Sequence, residues 1–391
     1  MFYTNTPEAN TTKVVFFAIL PILKLTHLHQ GCYFYTSTTE AITSACWGRH
    51  CSKSISMSKT ALVIHGGISR GAFAVGAIKK LMEIRPELRF DILSGGGAGS
   101  LIIPLVALKE IKPLIEIFTT KHNRDIIKKF SLSERIQEAS IMDASPLWGL
   151  LDHYYNHNLY NRLCASGKEL YFNTMCLQTH AMTVFSPSIN PIITSLCTQR
   201  RFENYDQFLR VLLACACQPV LLPPISIFPQ EEPIRQYIDA GPREYAGIEM
   251  AILAGATEVF VLLQSPVTHA IENKEYHDIY SILQEALEIF TADTANNLHI
   301  TPNLYNEGLR YIQEVKKKIM QQGVPASLVE DWFDTAMGDN PFYNKHPVHL
   351  HIIRPELPLG GGPDGLSFDP TLMQEMLTKG EQAMESHLAP V

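Results

Sequence analysis

Two glycine-rich turns, each set between a short apolar strand and a helix, limit what this chain can fold into more than any other feature. The second of them reads Ser94-Gly95-Gly96-Gly97-Ala98-Gly99. Before it, Phe90-Asp91-Ile92-Leu93-Ser94 has the character of a short buried strand, and after it Ser100 to Leu108 opens an apolar helix. Strand, glycine turn, helix is the setting of a nucleophile elbow. In the G-x-S-x-G form of that turn a serine is held on a strained bend so that its oxygen stands above the sheet, and the flanking glycines let the backbone pass without Cβ clashes. Here Gly95 and Gly99 keep the outer positions, Ala98 lies between, and Gly97 stands where the serine would be.

The first turn follows the strand Ala61-Leu62-Val63-Ile64 and precedes a helix expected from Gly71 to Ile84. It runs His65-Gly66-Gly67-Ile68-Ser69-Arg70-Gly71. Such a loop aims backbone N–H groups at a developing oxyanion, and the positive end of the following helix adds to the field. A third element, Tyr237-Ile238-Asp239-Ala240-Gly241, puts one carboxylate after a short strand at a tight turn. The outline is that of an active site: two glycine loops, an elbow and an acid.

Together these residues resemble the patatin-like phospholipases, which use a Ser-Asp dyad with a glycine-rich oxyanion loop, a G-x-S-x-G elbow and a D-G-G or D-G-A aspartate motif. The segments Glu169 to Met175 and Ala214 to Pro224 fit the family's inner strand and its double-proline stretch, and Gly365 to Pro370 is similar to the tail of bacterial members. The resemblance covers residues 60–265 most fully and 345–385 more weakly. It implies a three-layer α/β/α fold with a central, mostly parallel sheet, and hydrolysis of lipid acyl esters without a cofactor. In that reaction a serine at position 97 attacks the ester carbonyl, Asp239 accepts its proton, and the loop formed by Gly66, Gly67, Ile68, Ser69, Arg70 and Gly71 stabilises the oxyanion.

The departures from the family pattern fall on all three loops. Gly97 replaces the serine, Ile68 the third glycine of the oxyanion loop, and Ala240 the middle glycine of the aspartate motif, while Tyr245 and Gly247 stand where relatives tend to carry asparagine and proline. Drift across three loops favours natural loss over a single engineered change. Losing the nucleophile removes most of the rate of such a unit. Three substitutes are conceivable: Ser69 acting with Asp239, Ser100 one turn into the next helix, or a water activated by Asp239. The plainer reading makes Ser69 and Ser100 local backbone hydrogen-bonders. Two functions therefore compete, an acyl hydrolase impaired at Gly97 and a non-catalytic binder of acyl lipid or of a protein. Arg70 has two readings as well, orienting the loop or a phosphate head group, or pairing with a carboxylate.

Other assignments fit less well. Ile68 and Ser100 break the dinucleotide fingerprint in the two loops, and neither loop carries the G-K-[ST] of a P-loop. His65-Gly66-Gly67 is similar to the oxyanion motif of α/β-hydrolases, a fold that also needs the missing serine and a late histidine. His351, on the strand expected at Val348 to Ile353, reads as structural. No metal is expected, since no H-E-x-x-H occurs and Cys215-Ala216-Cys217 is too tight for zinc. A formal charge of -7 argues against nucleic acid as a partner, and Lys316-Lys317-Lys318 reads as a solvated helix face. The eight cysteines read as buried thiols of a reducing compartment, with a Cys46–Cys51 bridge as the weaker alternative.

Four segments are expected: an extension over 1–56 outside the fold, a core over 57–265 holding the three loops, a helical insertion or cap over 266–345, and a closing strand and helix over 346–391. Val14 to Leu23 is an apolar run too short for a bilayer, which takes about 20 residues, and its flanks make a poor secretion signal. Met57-Ser58-Lys59 would serve as an ordinary start, so a cytoplasmic location is expected. Within 266–345, Ile279, Ile282, Leu283, Ala286, Leu287 and Phe290 form one apolar stripe at helical spacing, followed by helices near 304–320 and 326–336. The stripe packs on the sheet, or it belongs to a lid or a cap facing a membrane surface. Gly360 to Gly365 reads as a surface loop leading to a helix over 370–385, capped by Asp369 with Pro370 at its first position.

Overall fold

A computed structural model describes residues 58–389 apart from 136, 189–191, 193, 195, 242–245, 268–274, 298, 335–341, 343–344 and 363–364. The expectations for residues 1–56, for Cys46 and Cys51, and for Tyr245 lie outside the described residues.

The chain runs β1 (Lys59–His65), α1 (Gly71–Ile84), β2 (Ile92–Gly95), α2 (Ala98–Ala107), α3 (Ile111–Thr120), α4 (Asn123–Ile126), β3 (Lys128–Lys129), α5 (Leu132–Arg135) and β4 (Met142–Asp143). It continues with α6 (Ser145–Tyr154), α7 (His157–Cys164), β5 (Glu169–Cys176), β6 (Met182–Ser186), β7 (Thr198–Arg201), α8 (Tyr205–Ala216), β8 (Tyr237–Asp239), α9 (Ala246–Leu253) and β9 (Ala256–Leu263). The last elements are α10 (Ile279–Asn297), α11 (Ile300–Gln321), α12 (Ala326–Asp334), β10 (His349–Ile353) and α13 (Pro370–Leu388).

One sheet holds the strands in the order β10-β9-β1-β2-β5-β6-β7. From β10 through β5 every pairing is parallel, and β5 then pairs antiparallel with β6. Its strands are apolar nearly throughout because both faces are covered. Along β1, Leu62 and Ile64 enter one core while Ala61 and Val63 enter the other, and β9 divides Phe260 and Leu262 from Val259, Val261 and Leu263 in the same way. This is the alternation of a strand between two helical layers. The larger layer includes α1, α2, α3, α8 and α13; the smaller one centres on α9.

Helices α1 and α13 cross closely because each offers a glycine where the other's backbone passes. A Cβ on Gly76 would lie 1.9 Å from the Leu377 carbonyl oxygen, and one on Gly380 would lie 1.9 Å from that of Phe73. Helix α13 starts as its sequence dictates: Asp369 Oδ1 accepts hydrogen bonds from the Thr371 and Leu372 amides at 2.8 and 3.1 Å, with Pro370 in the first turn.

Strand β8 explains how a distant acid reaches the elbow. It pairs with β5 at Thr174 to Cys176, antiparallel, whereas β2 pairs with β5 at Glu169 to Phe172. Since β6 occupies the other edge of β5, β8 continues the line of β2 beyond the elbow and delivers Asp239 there.

Three expectations need correction. The apolar stripe of α10 is buried only in part: Ile279, Ile282 and Phe290 are 79, 52 and 57% exposed, Leu283, Ala286 and Leu287 are half-buried with Leu287 against the larger core, and Gln284, Ala292 and Ala295 are the residues buried most fully. The lysine run is not wholly solvated, since Lys316 is buried, with its ammonium 2.6 Å from Glu330 and over the Phe333 ring. The Gly360 to Gly365 segment is not a free surface loop, for Gly361 and Gly365 are buried against the oxyanion loop.

Candidate functional site

The glycine turn after β2 is a tight bend centred on Gly97. Gly97 has φ 56° and ψ -130°, a strained conformation that glycine alone adopts without cost, and it sits between the end of β2 and the first residue of α2. Two glycines beside it are needed for close approach. A Cβ on Gly95 would lie 2.5 Å from the Gly99 backbone, and one on Gly99 would lie 2.4 Å from the Ile64 carbonyl oxygen. The Gly96 amide also donates to the Ile64 oxygen at 3.2 Å, which pins the turn to β1. At position 97 itself a Cβ would stand 3.3 to 3.4 Å from the Gly66 backbone, close enough that this backbone would have to yield slightly. The elbow and the oxyanion loop are thus neighbours.

The oxyanion loop leaves the C-terminal end of β1 with Gly66, Gly67 and Ile68 all at positive φ (81°, 90° and 29°). It tightens into a short turn from Ile68 to Arg70 that leads into α1. Gly71 brings α1 against the elbow helix, where a Cβ would strike Phe118 and Ala98 at 2.5 and 2.8 Å. The third member, Asp239, is 5% exposed; its Oδ1 accepts the Gly241 amide at 3.1 Å and its own amide donates to the Cys217 oxygen at 2.8 Å. Burial, and then the Asp239 charge, push the Cys217 thiol far up, so this cysteine is no nucleophile. Ala240 is fully buried in the smaller core.

Neither serine near the elbow is presented to a ligand. The Ser100 hydroxyl donates to the Gly97 carbonyl at 2.7 Å and is buried. Ser69 is fully buried with its oxygen toward Gly361, 2.8 Å from where a Cβ of that glycine would stand, and that oxygen has no hydrogen-bond partner among the described residues, so the backbone-bonding reading fails for Ser69. Arg70 takes the carboxylate reading. Its Nη1 donates to Glu288 of α10 at 2.6 Å, and Nε and Nη2 donate to the carbonyls of Gly360 and Gly362 at 2.9 and 3.1 Å. One guanidinium therefore binds the oxyanion loop, the C-terminal glycine loop and α10 together.

Three residues of the site escaped the sequence reading. Glu288 is one, hidden on a helix whose register was judged from its apolar stripe. Asn173, fully buried on β5, donates from Nδ2 to the Ser94 oxygen at 3.1 Å behind the elbow. Gln264 is 4% exposed at the end of β9 and lies over Gly67, where a Cβ would come 1.7 Å from its Oε1. A polar residue closing the apolar run Val259 to Leu263, at the strand end where α/β ligands bind, was the available signal.

Beside Ile68 and Ala98 lies an apolar cavity of about 40 Å³, walled also by Leu101, Phe118, Leu366 and Phe368. Among the described residues no group of three His, Cys, Asp or Glu could hold a metal, and no helix is long and apolar enough to cross a membrane. His351 is a packed core histidine, stacked on Phe260 with nitrogens 3.0 Å from His387 and 3.1 Å from Glu258.

A mostly parallel α/β sheet thus carries two glycine-rich turns and one buried acid at the ends of its strands. Residues 62–252 match the family of patatin-like phospholipases, and this part of the chain is a patatin-like phospholipase domain. No curated protein matches the sequence. Among solved structures, the chain is similar to VipD from Legionella pneumophila at 11% identity and a TM-score of 0.36, over 84% of this chain and 67% of that one.

Proposed function

We propose that this protein is an acyl-lipid site built on the patatin hydrolase scaffold, in which the ester is bound but the hydroxyl that would attack it is absent. The observation that carries this reading is Gly97, which keeps the elbow conformation at φ 56° and ψ -130° beside the oxyanion loop while supplying no nucleophile. In the ancestral reaction a serine at 97 would attack the carbonyl, Asp239 would take its proton, and the N–H groups of Gly66 to Ser69 with the first turn of α2 would face the oxyanion. With the hydroxyl gone, binding and charge stabilisation remain, worth far less than the complete unit.

The apolar wall beside Ile68 and Ala98 supports an acyl chain as the ligand's tail, because those side chains adjoin the elbow and oxyanion loop. Exposed Ile279, Ile282, Ile289 and Phe290 on α10, with Leu304 and Tyr311 on α11 and Trp332 on α12, support contact with a lipid surface by this part of the molecule. Ser69 and Ser100 are poor substitutes, one turned toward Gly361 and the other bonded to Gly97.

The test is hydrolysis of a p-nitrophenyl acyl ester and of phospholipid vesicles by the natural chain and by Gly97→Ser. The natural chain should stay at background and the variant should turn over both. The new Cβ fits if the Gly66 backbone yields by a few tenths of an ångström, and the strained serine costs about 1–3 kcal/mol of stability. A folded Gly97→Ser that stays silent would refute the reading; turnover by the natural chain that Ser69→Ala abolishes would replace it with catalysis by Ser69.

A further inference from the structure

Gln264 stands out among the buried polar groups of this molecule. Its side chain is 4% exposed, and neither Nε2 nor Oε1 has a hydrogen-bond partner among the described residues. A buried carboxamide left unbonded at both ends costs about 1–3 kcal/mol for each polar group, so natural proteins rarely keep one without a use. The surroundings of this amide are the candidate site itself. It lies over Gly67 so closely that no side chain fits there, its Oε1 is 4.0 Å from where a Gly66 Cβ would stand, and Gly66 in turn is the neighbour of Gly97.

The residue is also held in place. In the parallel ladder β9 ends with Leu263 opposite His65, so Gln264 leaves the sheet alongside Gly66. The next two carbonyls, Ser265 and Pro266, accept hydrogen bonds from Arg354 at 2.8 to 3.0 Å, and the same guanidinium donates to Asn296 Oδ1 of α10 at 2.9 Å. Thr291 of α10 lies 3.9 Å from where a Gly66 Cβ would stand, on the flank of the same loop. A polar group fixed by its neighbours and lacking a partner of its own is preorganised for an external one.

We infer that Gln264 is a ligand-contacting residue of this site: with its unbonded carboxamide turned over so that Nε2 takes the place of Oε1 beside Gly66, its N–H donates to the carbonyl oxygen of a neutral acyl ester lying along Gly66. The inference rests on the acyl-lipid reading given above and goes beyond it by naming a side-chain donor where the scaffold otherwise supplies backbone N–H groups. No bond is made or broken in this step. The carboxamide gains the partner that it lacks and the ester carbonyl exchanges water for it.

The experiment compares binding of two fluorescent lipids to the natural chain, a long-chain acyl ester and the matching alkyl ether without the carbonyl. Each is titrated against the natural protein, Gln264→Leu and Gln264→Glu, with folding checked by circular dichroism. The glutamate variant keeps the shape and replaces the donor by acceptors, so it stands in should the leucine variant fail to fold. The expected result is ester binding weakened about ten-fold in both variants, the contribution of one hydrogen bond between neutral groups, with ether binding unchanged. Equal weakening of ester and ether, or no change in either, would overturn the role of Gln264 while leaving the acyl site standing. If Gln264→Leu is more stable and binds the ester as before, the amide holds water alone and the inference fails. Should the natural chain bind neither lipid, the acyl-lipid reading falls and this inference with it.

Discussion

At the scale of single residues, the site is shaped as much by Ile68 as by Gly97. Ile68 holds a left-handed φ of 29°, unusual for a β-branched residue, and its side chain lines the small apolar cavity beside the elbow. Ile68→Gly should relieve that conformation and open the wall. Dissociation constants of acyl esters of graded length should then fall about four-fold for each methylene newly admitted; if binding keeps the natural chain's length dependence, Ile68 does not bound the tail. The positions at which glycine is required were legible in the sequence because strand–turn–helix junctions demand them. The partners of Arg70 were not, since an arginine beside a helix start pairs with whichever carboxylate the fold brings near, here Glu288, 218 positions away.

At the scale of elements, two contacts decide how tightly the site is framed. Arg70 and Glu288, with side chains 15 and 17% exposed, tie α10 to the oxyanion loop. Glu288→Ala leaves a half-buried guanidinium with backbone partners alone, and should cost about 1–3 kcal/mol. Amide exchange over Ile279–Asn297 should quicken at the same time; unchanged protection there would mean that α10 is held by its buried Ala292 and Ala295 and not by the ion pair. The second contact is the α1–α13 crossing. Gly76→Ala puts a methyl 1.9 Å from the Leu377 carbonyl oxygen, where only backbone movement can make room. Overpacking of this kind costs about 1–3 kcal/mol or more, read as a lower urea midpoint with an unchanged slope. Helix α10 shows why element faces are harder to read than element positions. Its stripe predicted a helix correctly, but which face met the protein depended on the oxyanion loop and β9, which no local periodicity encodes.

At the scale of the whole molecule, one edge of the sheet ties acid sensitivity to the closure of the chain. His351 of β10 and His387 of α13 lie 3.0 Å apart, with His349, Glu258 and Arg85 around them. Burial leads in lowering both histidines below their ordinary value of 6.5, with neighbouring positive groups adding to it and Glu258 opposing it at His351. A depressed histidine is neutral when folded, so the unfolded chain binds more protons as pH falls through about 6.5, and stability declines from there until the native histidines also protonate. Urea midpoints should hold from about pH 8 to 7 and fall toward pH 5.5, and His351→Gln should flatten that slope; a parallel decline in the variant would assign it to other groups. By itself the sequence determined the strands and helices that flank the two glycine turns, the turns themselves with Gly97, and the acid at Asp239, because sterics and period act over a few residues. Tertiary structure alone decided that β8 extends the line of β2 to bring Asp239 to the elbow, that the C-terminal glycine loop is buried on the oxyanion loop, and that Gln264 covers Gly67. Those contacts join segments tens to hundreds of residues apart, and they follow from strand order and packing, which no stretch of sequence carries alone.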